Sequence, residues 1–240
     1  MEDDMLRLKQ RPVLTLVVVA ITVVTSAIVV ASPTALAHLE RTPAGSNGEW
    51  WRTLTSLFTQ DSAGGAASNL LFMLALGVVA EQVTTRWRWL AAYLVAGIVG
   101  ELVGYAWQPT GAGNSVAVCG LAAVVTVACW RRDERLPIYG PMALVLWDAV
   151  LLSTWSWPAA IVGGVAAMAV IRLQRWRHVG TFTVAVTIAT GVFLACVQNI
   201  HGAALLAGLA LAALVTYVWR EPLTATEPDP RLPRPAGSPR

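Results

Sequence analysis

Apolar residues fall in long blocks along this chain, and the polar stretches between them are short and marked by arginine, glycine and proline. A block of roughly 20 apolar residues wound as an α-helix rises about 30 Å, the thickness of a bilayer's hydrocarbon core. Eight such blocks can be drawn, at 13–32, 66–82, 88–107, 114–130, 137–154, 157–172, 179–197 and 200–219. The second, fourth and sixth are short, and the pair around "STWSWP" could instead form a helical hairpin that does not fully cross. The pattern predicts an all-α fold, a polytopic membrane helical bundle of about eight transmembrane segments.

Composition agrees with the pattern. The chain is 56% hydrophobic and only 13% charged, with eleven tryptophans and a mean hydropathy of +0.59, too apolar for one soluble domain of 240 residues. Its three cysteines, Cys119, Cys129 and Cys196, lie in or beside apolar blocks and do not form a disulfide framework pattern. Charge placement tests the span count independently. With the N-terminus inside, all of the 17 basic residues except Arg41 and Arg52 fall in inside segments, as the positive-inside rule prefers. An even number of spans with both termini cytoplasmic follows, in a multi-pass protein of the plasma membrane. The net charge of +3 then needs no nucleic acid partner, because the arginines sit beside an anionic leaflet.

Three regions divide the chain: a cytoplasmic N-terminus at 1–12, a transmembrane domain at 13–219, and a tail at 220–240. The tail carries six prolines in its last twenty residues and cannot bury a core, so it is expected to be disordered and cytoplasmic. "TALAHLE" offers a small-residue cleavage site after the first block, but that block is long enough to be an anchor, and an uncleaved first span is expected. The large outer loop at 33–65 mixes tryptophan, arginine and hydroxyl residues, with Trp50 and Trp51 suited to the headgroup layer.

Candidate chemistry enters at "GAGNSVAVCG", residues 111–120, where Ser115 opens the fourth span about one turn below the outer surface. The three histidines are His38 in the outer loop, His178 in an inside basic cluster, and His201 at the start of the last span. The topology carries Ser115 and His201 to the same side and a similar depth. A hydroxyl attacks poorly until a neighbouring imidazole takes its proton, so such a pair suits nucleophilic catalysis. Gly113 and Gly120 flank the serine, and Ala204 and Gly208 make a small-xxx-small face beside His201, which permits close packing. Structural alternatives are a serine bonded back to a helix carbonyl and a histidine that packs or relays protons.

The order of features resembles the rhomboid intramembrane serine proteases. The resemblance runs through "WRTLTSLF" in the first outer loop, "NLLFMLALG" on the second span, Glu81, "YLVAGIVGELVGY" on the third, "GNSVAVCGL" opening the fourth and "HGAALLAGL" in the last. It covers roughly 50–130 and 195–219 and implies Ser115 as nucleophile and His201 as its base, six core spans with two extra here, and transmembrane-helix proteins as substrates within membrane lipid. Departures accompany it. The family's Gly-x-Ser-Gly becomes Gly113-Asn114-Ser115-Val116, and Cys119 replaces an aromatic residue one turn beyond the serine. On the second span, where the family has a histidine and four residues later an asparagine that help hold the oxyanion, "FMLALG" aligns Ser68 and Phe72; a one-position slip brings Asn69 in instead. Asn114, which adjoins the serine, is the preferred substitute donor, with Asn69, Gln60 and Asn199 as alternatives.

Two acids remain. Glu101 on the third span and Asp148 on the fifth are costly in lipid and therefore functional candidates, with Glu101 placed to orient His201. Cys119 shares a helix face with Ser115 but lies deeper, where a buried small hydrophobe is the simpler reading. No metal-ligand cluster, phosphate-cradling glycine loop or Cys-x-x-Cys pattern occurs, so neither metal nor cofactor is expected. Three functions compete: an intramembrane serine endopeptidase, a helix-binding pseudoprotease that does not cut, and a small transporter using Glu101, Asp148 and His201.

Overall fold

A computed structural model describes residues 10–172 and 178–218. The proline-rich tail lies outside the described residues. Ten α-helices make up the described fold: α1 Val13–Ala31, α2 Pro33–Leu39, α3 Arg52–Thr55, α4 Ala63–Val83, α5 Arg86–Trp107, α6 Ser115–Arg131, α7 Gly140–Ser153, α8 Trp157–Arg172, α9 Val179–Cys196 and α10 Ile200–Val218. The eight long helices fall where the eight apolar blocks are. Five of them, α1, α4, α5, α9 and α10, are long and apolar enough to cross a membrane, while α6, α7 and α8 are shorter apolar helices. The protein is an integral membrane protein built as a helical bundle.

Helix α4 is longer than its apolar block suggested. The Ser62 hydroxyl accepts a hydrogen bond from the Gly65 N–H at 3.2 Å, and this cap starts the helix at Ala63. At its other end Glu81 reaches across to α1, whose N-terminus has no side-chain cap of its own. The Glu81 carboxylate accepts from the Leu14 and Thr15 N–H groups at 3.1 and 2.9 Å and from the Thr15 hydroxyl at 2.6 Å. A carboxylate at a helix N-terminus satisfies the open N–H groups and meets the positive end of the helix dipole.

Helix α6 is the axis of the bundle, in contact with α4, α5, α7, α9 and α10. It is apolar all round and buried on nearly every face, which is how a 17-residue helix can serve here although it is short for a span. Small residues set the spacing around it. A Cβ added at Gly120 would strike the carbonyl of Ala92 on α5, and one at Gly208 on α10 would come within 3.0 Å of both the Gly120 Cα and the Ala123 Cβ. Ala204, fully buried one turn before Gly208, faces Gly100 of α5 in the same way. The stripe read from sequence as a close-packing face therefore seats α10 against α5 and α6.

At the end of the bundle away from the 33–65 loop, Arg135 ties the α6–α7 turn to α4 by donating to the Val83 carbonyl at 3.0 Å and pairing with Asp133 at 2.8 Å. Partial burial pushes the Asp133 carboxyl up and the Arg135 hydrogen bonds pull it down more strongly, leaving it below the usual carboxylate range. Helix α8 packs on α7 and α9 at the periphery.

Candidate active site

The site is assembled where the outer loop, the start of α6 and the start of α10 meet. The loop is folded rather than merely interfacial. Arg52 donates to the Ala37 and Glu40 carbonyls at 2.6 and 3.1 Å, Thr55 to Leu39 O at 2.7 Å, and the Tyr93 hydroxyl of α5 to Leu57 O at 3.1 Å. Leu57 is fully buried, whereas Trp50 and Trp51 stay exposed. Arg41 and Gly111 exchange backbone hydrogen bonds at 2.9 and 3.1 Å, and Gly113 N–H donates to Ser56 O at 3.0 Å. At Gly111 φ is +151°, a conformation that side chains with a Cβ rarely adopt. These bonds fix the strand-like segment that delivers Ser115 to the first position of α6.

Ser115 Oγ lies 2.9 Å from His201 Nε2. His201 Nδ1 lies 2.7 Å from Asn199 Oδ1, and Asn199 Nδ2 donates to Thr154 Oγ1 at 2.8 Å. Serine and histidine share a cavity of about 280 Å³ whose wall also includes Asp61, Gly65, Asn69, Arg41, Glu101 and Trp147. At the start of α6 the N–H groups of the first turn have no intrahelical acceptor, so backbone donors and the positive helix end face the same region.

The other sequence candidates separate. Asn69 lines the cavity and donates to Gln60 Oε1 at 2.8 Å; Gln60 in turn donates to Asn114 Oδ1 at 2.9 Å. Asn114 itself is fully buried, is not part of the cavity wall, and its Nδ2 has no protein partner. The side chain preferred from sequence as the oxyanion donor is thus behind the site, and Asn69 is in it. The register on α4 follows: Gly65 and Asn69, one turn apart, face the cavity, while Phe72 packs its ring 5.2 Å from that of Trp147. Gly65 and Asn69 thus face the cavity in a register three positions from the Ser68 and Phe72 pair aligned from sequence, and neither Ser68 nor Phe72 lines it.

Glu101 is not a hydrogen-bond partner of the His201 ring, whose partners are Asn199 and Ser115. It pairs with Arg41 at 2.5 Å, both side chains 2% exposed, and Arg41 also donates to the carbonyls of Gln108 and Thr110. Asp148 accepts from Thr187 of α9 at 2.6 Å and is buried away from the cavity. Glu101 and His201 both line the cavity, and Asp148 does not. Cys119 is fully buried below the serine, outside the cavity wall. Asn199 and Arg41 carry contacts that sequence reasoning did not assign to them. An asparagine directly before a helix is an N-cap signal, and in "QNIHG" that signal adjoins the histidine.

A bundle of membrane helices with a serine and a histidine in hydrogen-bond contact in a cavity near the starts of α6 and α10 defines a narrow class of protein. A family model for the rhomboid domain matches residues 47–172, more than half of the chain, and the chain belongs to the rhomboid family. It is 33% identical over 103 residues to the rhomboid protease GluP of Bacillus subtilis, covering 42% of this chain and 20% of that protein. It is 32% identical over 100 residues to the rhomboid-like protease 3 of Toxoplasma gondii, covering 39% of this chain and 38% of that one. The chain thus matches well under half the length of these relatives. Family membership supports an intramembrane protease or a rhomboid-like function.

Proposed function

We propose that this protein is a serine endopeptidase that cleaves transmembrane helices near the outer face of the membrane, with Ser115 as nucleophile and His201 as general base. The 2.9 Å approach of Ser115 Oγ to His201 Nε2 is the observation that carries this reading. In the first step the Oγ–H proton passes to Nε2 while Oγ bonds to the scissile carbonyl carbon, and the carbonyl oxygen takes up the negative charge. Protonated His201 then gives that proton to the departing amine as the C–N bond breaks. A water, deprotonated by the same nitrogen, releases the acyl group and restores Ser115. The developing oxyanion is held by first-turn N–H groups of α6 and by Asn69 Nδ2, whose second hydrogen remains available beside the bond to Gln60. Both termini lie in the cytoplasm in this reading, which opens the cavity outward, at the plasma membrane.

A substrate helix must unwind to expose a carbonyl, because helical hydrogen bonding occupies it. Labelling with a fluorophosphonate probe in detergent tests the core of the proposal. Wild type is expected to label, and Ser115→Ala and His201→Ala are expected to lose the signal; a folded wild type that stays unlabelled would overturn the protease assignment. That outcome favours the second reading, a pseudoprotease that binds membrane helices without cutting them. Ser68, Phe72, Val116 and Cys119 motivate it, since the resemblance sets them where the family carries a histidine, an asparagine, a glycine and an aromatic residue.

A further inference from the structure

We infer that Asn199 is a positioning residue that sets the tautomer of His201 and anchors it to the α7–α8 turn. The inference rests on the proposed Ser115–His201 dyad and adds a third member to it.

The argument begins with the end of α9. Gln198 N–H donates to Ala195 O at 3.1 Å and Asn199 N–H to Leu194 O at 2.8 Å, with Gln198 at φ +57°. This is a Schellman turn, with Gln198 in the left-handed position usually filled by glycine. It ends α9 and places Asn199 immediately before α10, where a side-chain oxygen can accept from the second N–H of the new helix. Asn199 Oδ1 does so, accepting from the His201 backbone N–H at 3.0 Å.

That bond settles which end of the amide is oxygen, because a backbone N–H only donates. The same oxygen is 2.7 Å from His201 Nδ1, so Nδ1 must carry a hydrogen. A neutral imidazole with its hydrogen on Nδ1 has its lone pair on Nε2, the atom 2.9 Å from Ser115 Oγ. The helix cap thereby orients the base. The other end of the amide, Nδ2, donates to Thr154 Oγ1 at 2.8 Å, so Asn199 cannot rotate away without releasing the turn after α7. Glu101, the acid expected from sequence to orient His201, is engaged with Arg41.

Two substitutions divide capping from positioning. Serine and aspartate both cap helices well, but only aspartate keeps an acceptor oxygen at the reach of asparagine; the serine hydroxyl is one bond shorter. Asn199→Ser is expected to keep the unfolding temperature within a few degrees of wild type and KM unchanged, while kcat falls at least about tenfold. Asn199→Asp is expected to restore kcat to near the wild-type value. Nitrogen NMR of ¹⁵N-histidine protein reads the tautomer whether or not the protein cuts anything. His201 should hold its hydrogen on Nδ1 in wild type and in Ser115→Ala, and should lose that preference in Asn199→Ser. A wild-type His201 with hydrogen on Nε2, or a tautomer and kcat untouched by Asn199→Ser, overturns the inference. An inactive wild type with the Nδ1–H tautomer lost in Asn199→Ser sustains the positioning role and overturns the protease reading alone.

Discussion

At the scale of single residues, the site depends on how closely backbones can approach. Gly120 sits where α5, α6 and α10 cross, with the Ala92 carbonyl on one side and Gly208 on the other. A methyl group there has no free space and must push α5 or α10 outward, moving the helix that carries His201. Gly120→Ala is expected to cost about 1–3 kcal/mol, more than the gain in helix propensity returns, and to weaken fluorophosphonate labelling as well. Gly64, also helical but with nothing within 4 Å of its would-be Cβ, is the control: Gly64→Ala should leave stability equal or slightly higher. Thermal unfolding in detergent of both variants checks the pair, and equal losses would mean that the crossing tolerates a methyl group. Residue identities of this kind were legible in part. The glycines and Ala204 stood out as a small-residue stripe, but which backbone each one meets did not. Glu101 could be placed at the right depth from sequence and not at the right angle, since rotation about α5 decides whether it faces His201 or Arg41. Arg41 and Arg52, the two exceptions to the charge asymmetry, prove to be buried and hydrogen-bonded within the loop that braces Ser115.

At the scale of elements, the α7–α8 hairpin is the part that the apolar pattern left open. Fourteen and sixteen residues rise only about 21 and 24 Å, short of a hydrocarbon core of about 30 Å. Yet the turn between them meets Asn199, next to the base, because Thr154 accepts from Asn199 Nδ2. Helix α7 therefore runs from the α6–α7 turn to the level of the site, and α8 runs back. With Cys196 replaced by alanine, a Ser156→Cys variant should react with a membrane-impermeant maleimide from the same side as Ser46→Cys, and Glu134→Cys from the opposite side. Labelling of Ser156→Cys together with Glu134→Cys would mean a re-entrant hairpin. Long helices were legible because an apolar run of sufficient length has few alternatives in lipid. Their ends were less so. The start of α4 depends on a serine cap among glycines, and the short helices α2 and α3 are held by Arg52 and Thr55 contacts rather than by any periodicity of their own.

At the scale of the whole molecule, the family match stops at residue 172 and leaves α9 and α10 outside it, so the base is brought to the nucleophile by packing across 86 residues of chain. That requires α6 and α10 to begin on the same side of the membrane, which the fold supplies whatever the absolute orientation. The orientation itself rests on charge. Once Arg41 and Arg52 are accounted for as buried structural groups, every other arginine and lysine lies in the N-terminal region, at or beside the α4–α5, α6–α7 and α8–α9 connections, or after α10. Basic residues in short loops resist translocation, so these segments should stay in the cytoplasm and the Ser115–His201 cavity should open outward. Alkaline phosphatase fused after Asp61 should then be active and the same enzyme fused after Val218 inactive, whereas green fluorescent protein fused after Val218 should fluoresce. The reverse pattern would turn the cavity toward the cytoplasm and overturn the proposal that substrates are cut near their outer ends, while leaving the serine–histidine contact intact.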